Sequence, residues 1–562
     1  MKSFGLLLTA QQQLGNRQNV RIVMIFGGIL VLLVLLYTVV FHVLMAMEGQ
    51  EHSWVSGLYW TLVTMSTLGF GDITFKSDLG RAFSILVILS GIVSLLVVLP
   101  FVFIEFLYVP FLKAQSRARA PRRIADRVSG HVIITNRDPV TLSLIGKLHD
   151  YHYSYVLLVD SAEAALELVD SGIQVLVGAP DDPDTYRNAG IERAALVVAT
   201  NDDMSNTNVA FTVRELSPSV RIVTSARTEE AHEILTLAGS TMVLRFGQML
   251  GQALARRIIA ADALAHVIGE FDDLVIAEAT AAGTPMVGKT LAECRVQETI
   301  GIRVVGVWER GKFTIARPDT PIRSATVLVL AGTMQQVEQY NAMFCIYHVA
   351  QGRAVIIGAG RVGRTTAAEL ELRGVSCCLV DKEAERLEGA AHSVAGNATD
   401  RSVLERAGIF SAPAVLLTTH DDDINTYLTI YIRRLRPDIE IISRATLERN
   451  VSTMHRAGAD FVMSYASLGG STIFNYLNRS DVLVLAEGLN VSKVQVPAAL
   501  VGHTLAKKNP LEECGCHLIG LGSHGRVEMN PDLEQPLPND SSMVIVGSPE
   551  NERRFLGRYA GA

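Results

Sequence analysis

Two glycine-bearing strings in this 562-residue chain are built for chemistry done by the main chain. In Thr67-Leu68-Gly69-Phe70-Gly71-Asp72, Gly69 and Gly71 can take left-handed dihedrals at little steric cost, so successive carbonyls can all point one way. A row of carbonyl oxygens in that arrangement can replace the water around a bare cation. In Gly358-Ala-Gly360-Arg361-Val-Gly363 the glycines let the backbone approach a pyrophosphate. The helix that follows offers N–H donors and positive potential at its first turn. Asp381, about twenty residues on, can accept a hydrogen bond from a ribose hydroxyl.

The elements around the first string place it in a membrane. It lies between two apolar runs, Ile22 to Met47 and Ala82 to Leu107, each long enough to cross a hydrocarbon core of roughly 30 Å as a helix. Trp54 to Met65 mixes apolar residues and threonines over about three turns, which predicts a short pore helix whose C-terminal dipole end faces a cation. Ser53 is its expected cap. An ordinary glycine turn in an outer loop would explain the string alone, but its position between two spans favours a re-entrant pore loop. Gly91 sits about twenty residues beyond Gly71 in a stiff apolar run, where glycine costs roughly 1 kcal/mol against alanine and eases bending. A hinge and close helix packing are both open explanations of it. Pro100 is expected to break the same helix, which puts a gate near Leu95 to Phe103.

Charge gives the orientation. Lys2, Arg17 and Arg21 precede the first span, and Lys113, Arg117, Arg119, Arg122, Arg123 and Arg127 follow the second, while the loop between carries Glu48, Glu51, Asp72, Asp78 and Lys76. Both termini are therefore expected in the cytoplasm, with the spans in the inner (plasma) membrane of a bacterium or archaeon. The first apolar stretch is too long and lacks the small-residue site of a cleavable signal, so it is expected to be retained. A net charge of −7, with the basic cluster beside a span, argues against a nucleic-acid partner. The six cysteines, Cys294, Cys345, Cys377, Cys378, Cys514 and Cys516, show no C-x-x-C pairing of zinc type and are expected as reduced thiols. Cys514-Gly-Cys516 could at most touch a soft metal.

From about residue 129 the chain shows itself twice, at a spacing near 220 residues. His131-Val-Ile-Ile-Thr matches Ala354-Val-Ile-Ile-Gly, Val156-Leu-Leu-Val-Asp160 matches Cys377-Cys-Leu-Val-Asp381, and Ala189-Gly-Ile191 matches Ala407-Gly-Ile409. Thr200 to Asn206 likewise matches Thr419 to Asn425. Each copy alternates short β-branched strands with amphipathic helices, which predicts a parallel, doubly wound sheet. Each continues into a small strand-rich tail, around Val287-Gly-Lys-Thr-Leu291 and Val501-Gly-His-Thr-Leu505. The expected domains are a pore at 1–110, a linker at 111–128, and the two copies at 129–345 and 350–562. The second copy alone carries the complete phosphate loop. The first has Asn136-Arg-Asp-Pro139 in its place, so no dinucleotide is expected there, although Asp160 is kept.

Thr67 to Gly71 resembles the TVGYG loops of potassium channels, with Leu for Val and Phe for Tyr. With the duplicated cytoplasmic part, the whole chain resembles the prokaryotic ligand-gated potassium channels whose subunits carry two tandem RCK domains, the GsuK-like family. The resemblance implies a two-span α-helical pore built by four identical subunits, two Rossmann-like α/β RCK domains per subunit, each with a small C-terminal subdomain, and a cytoplasmic gating ring. It implies potassium ions in the filter and an adenine nucleotide such as NAD or ADP on the second RCK domain. Carried over residue by residue, it puts the phosphates over Gly358, Gly360 and Gly363 with Arg361 beside them and the ribose on Asp381, next to Lys382. The adenine falls to Asn397-Ala398-Thr399, and a further phosphate contact to Arg444. Asp421-Asp422-Asp423, Asp181 to Asp184 and Asp272-Asp273 offer hard oxygen ligands suited to Ca2+, although a solvated acidic turn is the better reading of each. A dinucleotide-dependent membrane oxidoreductase and a non-conducting membrane nucleotide sensor are the competing functions. Nothing near the glycine loop supplies an acid–base pair for hydride chemistry.

Overall fold

The computed structural model describes residues 17–109, 120–258, 264–271, 274–309, 312–324, 326–344, 352–478, 482–484, 489–505, 509–523, 526–529 and 531–559. Cys345, the Asp272-Asp273 pair, Pro110 and the linker residues 111–119 lie outside them. The chain forms two compact units, residues 1–122 with 160–177, and residues 123–159 with 178–562.

In the first unit, helix α1 (Arg17–Met47), helix α2 (Trp54–Met65) and helix α3 (Asp78–Gly91) follow one another. The unit also contains a helix at Ala162–Asp170 and a strand at Val175–Val177. Val23–Met47 and Asp78–Phe106 are apolar and long enough to cross a membrane, with mean hydropathies of 2.8 and 2.9. Ser53 caps α2 by accepting the Ser56 N–H at 3.2 Å, and Ser77 caps α3 by accepting the Gly80 N–H at 3.1 Å. The core between these helices is aromatic: Trp60 lies 5.0 Å from Phe41, 5.2 Å from Phe75 and 5.8 Å from Phe83, ring centre to ring centre. The Tyr37 hydroxyl donates to Ser90 Oγ at 2.9 Å and ties α1 to α3.

Beyond α3 the chain stays helical to Tyr108, with wide π-type turns at Ile92–Val98 and Ile104–Tyr108 flanking an α-helical stretch at Leu99–Phe103. Pro100 therefore does not break the helix. The Leu99 N–H bonds the Ser94 carbonyl five residues back, and such wide turns absorb the donor and the space that proline denies a regular α-helix.

The second unit holds the second repeat and, apart from residues 160–177, the first. In the first repeat, strands β1 (Val132–Ile134), β2 (Tyr155–Val159), β3 (Leu196–Ala199), β4 (Arg221–Ser225) and β5 (Met242–Leu244) pair in parallel in the order β2-β1-β3-β4-β5. Helices α4 (Pro139–Asp150), α5 (Asp203–Leu216), α6 (Glu229–Leu237) and α7 (Phe246–Arg256) belong to this repeat. In the second, strands β6 (Ala354–Ile357), β7 (Cys377–Asp381), β8 (Ser393–Ala395), β9 (Ala414–Leu417), β10 (Glu440–Ala445) and β11 (Phe461–Ser464) form a six-stranded parallel sheet, order β8-β7-β6-β9-β10-β11. Helices α8 (Arg361–Leu372), α9 (Asp422–Leu435) and α10 (Tyr465–Leu477) accompany it. Strands β6, β9 and the middle of β10 are buried on both faces, which is why they read as unbroken apolar runs.

The duplication is kept in backbone detail. Gly190 and Gly408, in the paired Ala-Gly-Ile strings, have φ of +68° and +85°. Arg214 and Arg433, at matching helix positions, donate to the carbonyls of Gly239 and Gly458 at 2.7 and 2.8 Å. Each repeat ends in an antiparallel five-stranded sheet. The two sheets share one core, in which Val305, Trp308 and Val329 meet Val491, Ile519 and Val544. A terminal helix, α11 (Pro549–Tyr559), closes the chain. The copies also exchange helices: α10 packs on α4, where a Cβ on Gly469 would lie 2.7 Å from Val140 Cγ1, and α7 packs on α8.

Candidate functional site

The pore loop leaves α2 with its first three N–H groups bonded back to the helix and its carbonyls free. Thr67 N–H bonds Thr64 O at 3.1 Å and Leu68 N–H bonds Val63 O at 3.0 Å. No carbonyl from Thr67 to Gly71 accepts a hydrogen bond among the described residues. Thr67, Gly69 and Gly71 have φ of +62°, +48° and +77°, while Leu68 and Phe70 between them are on the negative side. Such an alternation of φ sign can turn successive carbonyls to a common side. The two glycines were the foreseeable half of the pattern. The left-handed Thr67 was not, because a β-branched residue there is strained by about 1–3 kcal/mol.

Two further residues hold this loop. Glu48, just beyond α1, accepts the N–H groups of Lys76 at 2.9 Å and Ser77 at 3.0 Å and the Ser77 hydroxyl at 2.5 Å. Those bonds, the Ser77 hydroxyl foremost, hold its carboxyl below the usual range. Charge counting alone registered Glu48 as an outer acidic residue. Gly91 is the other: a Cβ on it would lie 2.3 Å from the Met65 carbonyl oxygen and 2.6 Å from Met65 Cα. Close packing of α3 on the end of α2 accounts for this glycine, whose own φ and ψ, −65° and −47°, are those of a straight helix.

The second site is a cleft of about 1230 Å³ at the C-terminal ends of β6 and β9, where the strand order reverses. Its floor is the glycine string between β6 and α8, in which each glycine has a separate physical reason. Gly358 has a φ of +104°, and Gly363 has no room for a side chain, since a Cβ there would lie 1.9 Å from the Gly358 carbonyl oxygen. A Cβ on Gly360 would meet nothing within 4 Å, because that position faces the open cleft. The Thr418 hydroxyl donates to the Gly358 carbonyl at 2.8 Å and holds the loop to β9.

The buried Asp381 carboxylate accepts the Ala359 N–H at 2.7 Å and the Glu383 N–H at 3.0 Å, so it also holds the loop from behind. Each oxygen keeps a lone pair for a hydroxyl in the cleft. Lys382, Asn397, Ala398 and Thr399 line the same cleft, and Asn397 Oδ1 accepts the Thr399 N–H at 3.1 Å, a turn that shapes the wall. Arg444, on β10, lies over the Tyr465 ring at 5.0 Å, and its Nε is buried with no hydrogen-bond partner among the described residues. Burial lowers the pKa of this guanidinium, and Arg361 nearby adds to the effect. A glycine cradle and an unsatisfied cation fit the phosphates of a nucleotide.

Two of the acidic clusters supply caps and pairs to the fold. Asp421 caps α9 by accepting the N–H groups of Asp423 and Ile424 at 2.9 and 3.1 Å. Asp422 accepts from the Thr446 and Leu447 N–H groups and from Asn450 Nδ2 at 2.7, 3.1 and 2.7 Å. Asp182 caps a short helix at Pro183–Asn188, and Asp184 pairs with Arg187 at 2.6 Å. Among the described residues no three His, Cys, Asp or Glu side chains are grouped to hold a metal. In the first repeat, Asp138 occupies the N-terminus of α4 with its own carboxylate, accepting the Thr141 N–H at 2.8 Å where a phosphate would need to sit.

Comparison with known proteins matches this architecture. The ion channel family covers residues 29–107, the TrkA-N domain family 132–246 and 354–465, and the TrkA-C domain family 275–344. A solved structure described as the GsuK channel bound to NAD is 32% identical over 96% of this chain and 99% of its own, with a TM-score of 0.58. Potassium channel protein 1 of Methanocaldococcus jannaschii is 24% identical over 320 residues, covering 55% of this chain and 94% of that protein. The calcium-gated potassium channel TvoK of Thermoplasma volcanium is 24% identical over 356 residues, covering 60% and 99%. Two spans around a carbonyl-lined loop, joined to paired TrkA-type domains, place this chain in the GsuK-like family of RCK-domain, ligand-gated potassium channels.

Proposed function

We propose that four copies of this chain surround one potassium-selective pore in the plasma membrane, with the RCK domains in the cytoplasm, and that an adenine nucleotide in the cleft of the second RCK domain sets the open fraction. The observation that carries the ligand assignment is the glycine cradle with Asp381 behind it and the unpartnered Arg444 Nε beside it. The relative solved with NAD supports a dinucleotide as ligand.

Assembly into a ring is supported by apolar side chains turned outward on the same helix of each repeat: Met204 and Phe211 on α5, Ile424, Tyr427 and Ile430 on α9. Exposed rows of this kind are interaction surfaces. A nucleotide that prefers one ring geometry shifts the ring's equilibrium, and the segment from Pro110 to Asp126 passes the strain to the inner helix at Gly91 and Pro100. A ligand that bound both geometries equally would shift nothing. The dinucleotide in this reading is a gating ligand, not a hydride source.

Potassium flux into liposomes, measured with and without NAD or ADP, tests the reading. The Gly360→Ala variant fits the apo fold but intrudes on the ligand, so it should conduct normally and respond weakly. A full nucleotide response in Gly360→Ala, or flux that survives disruption of Gly69 and Gly71, would overturn it.

A further inference from the structure

The cleft has a second wall that belongs to the first repeat. Helix α7 is drawn against α8 at glycines: a Cβ on Gly251 would lie 2.7 Å from Thr365 Cβ, and one on Gly247 would lie 3.6 Å from Arg361 Cβ. The Thr366 hydroxyl donates to the Gly251 carbonyl at 3.2 Å and fixes the pairing. The start of α7 is thereby held beside the start of α8, which opens at the phosphate loop. Arg245, the residue before α7, lines the same cleft as Gly358 and Gly360, as does Arg227 after β4.

Arg245 is not free. Its guanidinium is ion-paired with Glu229 in the first turn of α6, and Glu229 also lines the cleft. The Arg245 side chain is 27% exposed and that of Glu229 60%, so the carboxylate can leave for water more cheaply than the cation can.

We propose that Arg245 binds the anionic end of the nucleotide and that Glu229 is a stand-in carboxylate which the phosphate displaces. The inference rests on the nucleotide reading of the cleft and adds its selectivity. The repeat without a phosphate loop of its own supplies a cation to its neighbour's site. The site therefore prefers ligands with at least two phosphates, and the bound ligand clamps the two repeats together.

Calorimetric titration of the full-length protein in detergent with ADP, AMP and NAD tests this. Arg245→Gln should weaken ADP and NAD about tenfold and AMP by about twofold or less, the scale of one charge-assisted hydrogen bond. Glu229→Gln should tighten ADP by about threefold, since the competitor is gone. The double variant should bind as Arg245→Gln does. Should Arg245→Gln fail to fold, the rise in ADP affinity of Glu229→Gln decides alone. Unchanged ADP affinity in Glu229→Gln, or additive effects in the double variant, overturns the inference while leaving the nucleotide site intact. A wild-type protein that binds none of the three ligands overturns both.

Discussion

The α-carbon of Gly91 faces the backbone of Met65 so closely that a methyl group on it would sit 2.3 Å from the Met65 carbonyl oxygen. The contact joins the inner helix to the last turn of the pore helix, immediately before Thr67. Any movement of one is therefore felt by the other, because packed interiors transmit displacement. Gly91→Ala should distort the pore loop and abolish or sharply reduce potassium flux into liposomes. Gly28→Ala, where a Cβ meets nothing within 4 Å of the chain, is the matched control and should conduct normally. Equal flux from the two variants would refute the coupling.

The glycines of the phosphate loop should separate in their effects. Gly363→Ala must push the helix away from β6, since its Cβ would overlap the Gly358 carbonyl, and should cost stability by about 1–3 kcal/mol, the usual scale of overpacking. Gly360→Ala should leave thermal stability without ligand unchanged and remove most of the stabilisation that ADP confers. Melting curves of both variants, with and without nucleotide, check the contrast.

Arg444 offers the opposite trade. Its guanidinium is largely buried without a partner for Nε, a cost to the empty protein that a phosphate would offset. Arg444→Met should therefore melt no lower than the wild type in the absence of nucleotide and bind ADP about tenfold more weakly, the pattern of a residue kept for its ligand. A large loss of stability without nucleotide would make Arg444 a structural residue instead.

Much of this was legible in the residues. Ser53 announced the pore helix by its capping chemistry, and the matched Ala-Gly-Ile strings announced the duplication because both need the same left-handed turn. The glycine string with Asp381 pointed to the cleft, since the turn at Gly358 and the close helix approach at Gly363 require glycine. What could not be read was what depends on packing at a distance. The nearness of Gly91 to Met65, and of Arg245 to the phosphate loop, comes from helices whose registers are set by many partners at once. The wide turns around Pro100 were equally hidden, because the missing donor shows in the sequence but the way the helix absorbs it does not. The left-handed φ of Thr67 was hidden for a related reason: local preference disfavours that conformation, and only the surrounding pore loop imposes it.

A buried carboxylate fastens the end of the chain to the first repeat. Glu552, on α11, accepts the Tyr151 hydroxyl at 2.9 Å, Asn490 Nδ2 at 2.9 Å and the Ser492 hydroxyl at 2.5 Å, with no cation bonded to it among the described residues. Removing it takes the acceptor from the Tyr151 and Ser492 hydroxyls, while Asn490 Nδ2 keeps the Tyr151 hydroxyl as an acceptor. Glu552→Ala should therefore destabilise by about 2–4 kcal/mol, whereas Tyr151→Phe, which removes one donor to the carboxylate and that acceptor of Asn490, should cost about 1 kcal/mol. Urea unfolding of the two variants measures the difference. Equal costs would mean that the Tyr151 and Ser492 hydroxyls find other partners.

The pH dependence of stability follows from His266. Its Nε2 is buried without a hydrogen-bond partner, and burial, with Arg373, Arg256 and Arg257 nearby, lowers its pKa from 6.5 to about 4. Glu278, which also lines the neighbouring cavity, is engaged by Arg257 and gives the imidazolium little relief. The folded protein therefore holds His266 neutral through a range in which the unfolded chain takes up a proton. Stability contributed by the neutral ring is fully present above about pH 6.5 and is lost as the pH falls through about 4. The melting temperature should drop on acidification from pH 7 toward pH 4.5, and His266→Asn should flatten part of that slope. His131, His455 and His517, which burial shifts in the same direction, contribute to the rest. A slope in His266→Asn as steep as in the wild type would remove His266 from the explanation.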